Sequence, residues 1–300
     1  MDTLLVTGSN GLLGTKLLKR ARGMFNVVGS SQRPANNLSA GPFEFRQADI
    51  RDATAVSRVL NEVRPHVVVH TAAMTNVDAC ELQPALASEI NVNGTENVVN
   101  ACKQVDAQLV FISTDYVFSG DTGPYDEEAA TEPLSVYGKT KLAAEQLVQH
   151  HSDYYCIART STLYGYTPAA RPNFVTWLLA ELRAGNPVAV VTDQVSSPTL
   201  ADNLAEMVLA LAAKDAKGLF HTAGAEWLSR YDFALKIASC FSLDAALIKP
   251  GNSEEVPQAA PRPHHSGLLT HRLTTELGVH PLTVEEGLLA MRAQMEAFGR

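Results

Sequence analysis

Tyr137 and Lys141 stand four residues apart in a segment of helix formers, Lys139–His150. On a helix that spacing puts a phenol and an ammonium on one face, within reach of each other. A nearby positive charge favours phenolate over phenol and draws a tyrosine pKa down from about 10. About two dozen residues upstream, Ser113 and Thr114 close an apolar run, Leu109–Ile112, that reads as a strand. A hydroxyl at either position, at the carboxyl end of that strand, can bond the same substrate oxygen as the phenol. The set amounts to a proton donor for an oxyanion forming at a carbonyl carbon, which is what carbonyl reduction requires. A tyrosine and a lysine at this spacing are a common accident of helices, so the pair draws its weight from the hydroxyls and from a phosphate-binding loop at the amino terminus.

That loop is Gly8-Ser9-Asn10-Gly11-Leu12-Leu13-Gly14, between a short apolar strand, Leu4–Thr7, and a helical stretch, Thr15–Arg22. Glycines here permit a tight turn and let a diphosphate approach the backbone, and amides opening the helix hold its charge. The strand before and the helix after give the glycine spacing its meaning. Gly8, Asn10, Gly11, Leu12, Leu13 and Gly14 are therefore expected to bind a dinucleotide. Asn26–Gly29 reads as the second strand. A carboxylate at its end would select NAD by binding the adenosine ribose. The chain has Ser30, Ser31, Gln32 and Arg33 instead, hydroxyls and a guanidinium suited to a 2′-phosphate. The expected cofactor is NADPH, with NADH as the second choice.

The elements that must position these groups follow in order. Phe43–Ala48 alternates as a third strand, Ala53–Val63 is helical, and Pro65–His70 is a valine-rich buried strand. Pro84–Val105 reads as one long helix, and Tyr154–Arg159 as another strand. Strand and helix alternate in the manner of a doubly wound parallel (Rossmann) α/β sheet. Three hundred residues suffice for such a unit and a smaller appended lobe. A formal charge of −8 argues against nucleic acid or an anionic membrane as the main partner. No apolar run reaches the ~20 residues of a membrane span. The start lacks the basic region of a signal peptide. Cys80, Cys102, Cys156 and Cys240 are scattered, as reduced thiols of a cytoplasmic enzyme would be. The nine histidines show no chelating pattern, so no metal site is expected.

The motifs around the central stretch carry a family resemblance. Ser113–Phe118 reads STDYVF, Pro124–Glu127 reads PYDE, and Pro133–Lys141 reads PLSVYGKTK. With these the chain resembles the extended short-chain dehydrogenase/reductases, and within them the dTDP-4-dehydrorhamnose reductase branch. The resemblance implies a Ser/Thr–Tyr–Lys triad at Thr114, Tyr137 and Lys141, with Tyr137 and Lys141 also touching the cofactor. It implies that Asp49 and Ile50 lie beside the adenine and that Thr71, Ala72 and Ala73 form the turn under the nicotinamide-side ribose. Asn91 falls where the family places an asparagine near the active site. Substrate contacts are implied at Met74, Tyr116, Asn173 and Arg262, the last within Arg262-Pro263-x-x-Ser266 as a diphosphate clamp or, equally, a helix cap. Thr162 is a departure: the branch has a tryptophan there, packed on the sugar. Some members dimerise through a metal held by a glutamate at the position of Lys16, where a cation cannot serve. A homodimer of another kind is left open.

The division expected is a cofactor-binding domain over 1–165, with returning segments near 195–225 and 262–273. A substrate lobe would comprise 166–194 and 226–300. In that lobe Pro168–Pro187 carries a helix, Ser229–Phe241 is an amphipathic helix with Trp227 and Tyr231 in its core, and Val256–His265 is a proline-rich loop. The activity implied is NADPH-dependent reduction of a nucleoside-diphosphate 4-keto-6-deoxy sugar. Two alternatives share these parts: a nucleotide-sugar epimerase or dehydratase, and an NADP-binding regulatory subunit like the β subunit of methionine adenosyltransferase.

Overall fold

Near-continuous aliphatic runs have no polar face to offer water, so they belong in a sheet covered on both sides. In the computed structural model, which describes residues 1–35, 43–151, 154–168, 171–256 and 258–298, such runs lie in β1 (Thr3–Thr7), β2 (Asn26–Ser31), β4 (Val67–His70), β5 (Gln108–Thr114) and β6 (Tyr155–Thr160), while β3 (Glu44–Gln47), polar apart from Phe45, forms the edge. A seventh strand, Gly218–His221, completes the sheet beyond β6. All pairings are parallel, in the spatial order Gly218–His221, β6, β5, β4, β1, β2, β3. The order reverses between β1 and β4, where Thr7 pairs with Ser30 on one side and His70 on the other. Helices leave the two sides of the sheet there and open a crevice at the carboxyl ends of the strands.

Two apolar layers hold the sheet. On one face α1 (Leu12–Arg20) and α8 (Ala201–Ala213) bury Leu13, Leu17, Leu204, Met207 and Val208 against β1 and β4. On the other, α2 (Ala53–Val63), α5 (Gly94–Val105) and α6 (Val136–His151) bury Val56, Leu60, Val98, Val99, Ala144 and Val148. The start of α2 is fixed by Asp52, whose carboxylate accepts from the amides of Thr54 and Ala55 at 3.0 Å each. A third apolar cluster joins α7 (Phe174–Arg183), α9 (Arg230–Cys240) and α11 (Val284–Phe298) through Val175, Leu178, Phe233, Ile237, Leu288 and Met291. Two short parallel strands, Val188–Val191 and Ile248–Gly251, lie beside it.

Three expectations need correction. Pro84–Val105 is not one uniform helix: α4 (Pro84–Ser88) passes through a π turn, Glu89–Asn93, before α5. The wider turn carries Asn91, whose side chain is committed to bonds outside the helix, the usual setting of such bulges. Trp227 is not core. It is 43% exposed, its indole lying flat over Gly267, where any Cβ would overlap the ring. Tyr231 does pack against the third cluster. The phenol–ammonium expectation is corrected below. The segments Pro168–Pro187 and Val256–His265 each include positions outside the described residues, 169–170 and 257.

Lys16 is buried in α1, paired with Asp202 of α8 at 2.8 Å and bonded to Gln294 of α11 at 2.8 Å. It ties the carboxyl-terminal helix to the sheet layer. Among the described residues all four cysteines are free thiols, and no helix is long and apolar enough to cross a membrane.

Candidate active site

The crevice at the strand ends is built first from β1 and α1. Gly8 has φ of +67°, and a Cβ there would stand 2.7 Å from the Ala72 amide nitrogen and 2.7 Å from Thr71 Oγ1. A Cβ on Gly14 would overlap the Gly8 carbonyl. The loop is thus closed down on itself and on the turn after β4, with Thr71 Oγ1 donating to Thr7 O at 2.6 Å. Gly11 starts α1 without a side-chain cap, and no acidic residue stands in the first turn. The amides of Leu12, Leu13 and Gly14 therefore open the helix without a side-chain acceptor, as a diphosphate site requires. Asn10 is spent differently: its amide donates to the carbonyls of Arg33 and Pro34, at 3.3 and 2.9 Å. It holds the chain after β2 against the phosphate loop and so places Arg33.

Around the second strand the residues divide. Ser30 is buried within β2, whereas Arg33 is exposed and makes no ion pair among the described residues. Asp49 accepts from Gln32 at 2.8 Å and pairs with Arg51 at 2.6 Å, which holds its carboxyl below the ordinary range. Ile50 is buried beside Gly94 of α5. The turn, the uncapped helix start and the pocket beside Ile50 fit an adenine dinucleotide, and Arg33 stands exposed near their rim.

The catalytic candidates converge from two elements. Thr114 ends β5, buried, with its hydroxyl donating to Asp115 Oδ1 at 3.1 Å and accepting from the Tyr116 amide at 3.2 Å. Tyr137 and Lys141 lie one turn apart on α6, the tyrosine half-buried and the lysine buried. A hydrogen bond to Thr114 favours ionisation of Tyr137, yet burial outweighs it and pushes the phenol pKa up. This reverses the expected sign. The Lys141 ammonium donates to Ile112 O at 2.7 Å and sits 4.0 Å over the Phe111 ring, and burial lowers its own pKa to about 7. Burial thus works against ionisation of the phenol and against protonation of the amine alike. His70 lies behind Lys141, buried and neutral, with a pKa held down at about 3 by burial.

Asn91 reaches this centre indirectly. Its Oδ1 accepts from the Met74 amide at 2.7 Å, and its Nδ2 donates to Met74 O and to Thr140 Oγ1 at 3.1 and 3.0 Å. It fixes the turn 71–74 against α6 and so sets Ala72, Ala73 and Met74 relative to Tyr137.

On the substrate side, Tyr116 stands edge-on to Tyr137, with ring centroids 5.8 Å apart. Arg262 is not a helix cap. It forks onto Asp78, in the first turn of α3 (Val77–Leu82), at 3.0 and 2.7 Å, and it also bonds Tyr116. Thr162 shares a hydrogen bond with Ser196 at 2.8 Å. Asn173 caps α7: it accepts from the Thr176 amide at 3.3 Å and donates to Gly165 O at 2.7 Å. Its polar atoms are thus already engaged.

Three features escaped the sequence reading. Asp115 is buried and accepts from Thr114, from Ser161 at 2.7 Å and from Ser266 at 2.5 Å, joining β5 to two distant loops; burial raises its pKa. Glu145 and Arg159 form a buried two-bond pair at 2.9 and 2.7 Å under the active helix. Arg230, half-buried, lies over the Phe174 ring at 4.9 Å, facing Tyr116 and Arg262. Only the STDYVF string hinted at the first of these, and nothing local marked the other two.

The model of the RmlD substrate binding domain matches residues 1–297. Among solved structures, dTDP-4-dehydrorhamnose reductase of Bacillus anthracis str. Ames, in complex with NADP, is 32% identical with a TM-score of 0.88, covering 98% of this chain and 99% of that one. The probable low-salt glycan biosynthesis reductase Agl14 of Haloferax volcanii is 32% identical over 98% of each chain. Methionine adenosyltransferase 2 subunit beta of Pongo abelii is 34% identical over 92% of this chain and 82% of its own.

Proposed function

The chain belongs to the RmlD substrate binding domain family, within the extended short-chain dehydrogenase/reductases, and from that premise we propose that it is an NADPH-dependent reductase of a nucleoside-diphosphate 4-keto-6-deoxy sugar. The observation that carries the proposal is Tyr137 on α6, beside the Thr114 hydroxyl that ends β5 and one turn from the buried Lys141.

The cofactor supplies a hydride when bound. Gly8, Gly11 and the first amides of α1 would hold its diphosphate, Arg33 its 2′-phosphate and Lys141 a ribose hydroxyl. Thr114 orients the substrate carbonyl. Tyr137 gives its proton to the oxygen as negative charge develops there, and Lys141 steadies the phenolate left behind.

Incubation with NADPH and a panel of 4-keto-6-deoxy sugar nucleotides, followed by loss of reduced-nicotinamide absorbance, tests the reading. Stoichiometric oxidation of NADPH is expected. An epimerase or dehydratase would convert sugar nucleotide with no net oxidation. The likeness to methionine adenosyltransferase 2 subunit beta supports a second reading, a regulatory subunit. Tight NADPH binding with no oxidation by any member of the panel would favour it.

A further inference from the structure

Two guanidiniums flank Tyr116, and they are not equivalent. Arg262 is matched: it forks onto the Asp78 carboxylate, and its side chain is only 14% exposed. Arg230 has no carboxylate partner among the described residues. Its side chain is braced by stacking 4.9 Å over the Phe174 ring, and its backbone amide is fixed to Gln194 O at 2.9 Å. The groups that act on it include the Tyr116 phenol, whose pKa burial raises, and the buried Asp115, which three hydroxyls already satisfy. A half-buried cation that is held in place but unmatched is costly unless something anionic meets it.

Its position says what that is. Arg230 acts on Tyr116, and the Tyr116 ring stands edge-on to Tyr137 at 5.8 Å. Leu228, two residues before it, pairs in register with Ser196, and Ser196 bonds Thr162. The sugar side of the crevice thus carries a hydroxyl pair and an open guanidinium.

Resting on the reductase reading, we propose that Arg230 is the anchor for a phosphate of the sugar nucleotide, while Arg262 serves to position Tyr116. A guanidinium suits that group, since its paired N–H donors match two phosphate oxygens. The anchor sets which way round the nucleotide lies.

Arg230→Gln and Arg230→Lys test the assignment. Steady-state kinetics with NADPH and a 4-keto sugar nucleotide would be measured beside calorimetry with dTDP and with NADPH. Arg230→Gln is expected to raise KM roughly 10–100-fold, the loss of a charged hydrogen bond, with kcat within a few-fold, NADPH affinity unchanged and part of the loss recovered in Arg230→Lys. A parallel fall in dTDP affinity identifies the diphosphate. Unchanged dTDP affinity with a raised KM puts the contact elsewhere on the sugar and overturns the assignment. The assignment is overturned if KM and dTDP affinity both stay within twofold of native. It is overturned too if Arg230→Lys is no better than Arg230→Gln and both melt early, since the side chain would then serve packing alone. Should the native protein oxidise NADPH with no sugar nucleotide, the reductase reading fails, and the dTDP titrations still decide the role of Arg230.

Discussion

Replacing Tyr137 by phenylalanine removes one oxygen atom and leaves the ring edge-on to Tyr116 at 5.8 Å. The partner left behind is Thr114, and it is not orphaned: its hydroxyl still donates to Asp115 at 3.1 Å and still accepts from the Tyr116 amide at 3.2 Å. The stability cost should therefore be that of one net hydrogen bond, on the order of 1 kcal/mol, with a melting shift of no more than a few degrees. Catalysis should suffer far more. A positioned proton donor contributes about 10²–10⁴ in rate, so the barrier should rise by roughly 3–5 kcal/mol. The phenol acts on charge that appears only during reaction, so NADPH affinity should hold. Three measurements on one variant separate these terms: kcat with the preferred 4-keto sugar nucleotide, NADPH titration by fluorescence, and a thermal melt. A fall in kcat of less than tenfold would refute the acid role. So would a loss of NADPH affinity matching the loss of rate, because the hydroxyl would then be a cofactor contact.

Other substitutions probe the parts around this centre. Arg33→Ala should weaken NADPH binding roughly tenfold and leave NADH nearly unchanged; equal effects on both cofactors by calorimetry would remove Arg33 from the 2′-phosphate. Gly8→Ala forces a side chain into a backbone with φ of +67° and into the Ala72 amide. It should cost about 1–3 kcal/mol in strain and abolish NADPH binding, and a variant that binds normally would show that the turn is not the cradle. Glu145→Gln leaves the Arg159 charge buried without its carboxylate, since the native pair is only a few per cent exposed. A loss of about 3–5 kcal/mol in urea unfolding is expected, and a change under 1 kcal/mol would mean that water reaches the site.

The features that the sequence alone determined are local. The valine and leucine runs specify buried parallel strands because they have no polar side, and the glycines of 8–14 specify a turn only between a strand and a helix. Helical periodicity by itself puts Tyr137 and Lys141 on one face. The long helix across 84–105 was legible apart from its π turn, because that bulge is set by bonds from Asn91 to Met74 and Thr140, neither of them a helical neighbour. The tertiary structure decided the electrostatics. Spacing predicts that the lysine lowers the phenol pKa, but burial is a property of the assembled fold, and it raises the phenol and lowers the lysine together. Pairings between distant segments were equally invisible. Arg262 meets Asp78 across 184 residues and Ser266 meets Asp115 across 151. Arg230 is left open because no carboxylate among the described residues reaches it. A residue's chemistry in the crevice depends on what the chain brings beside it, and sequence distance carries no record of that.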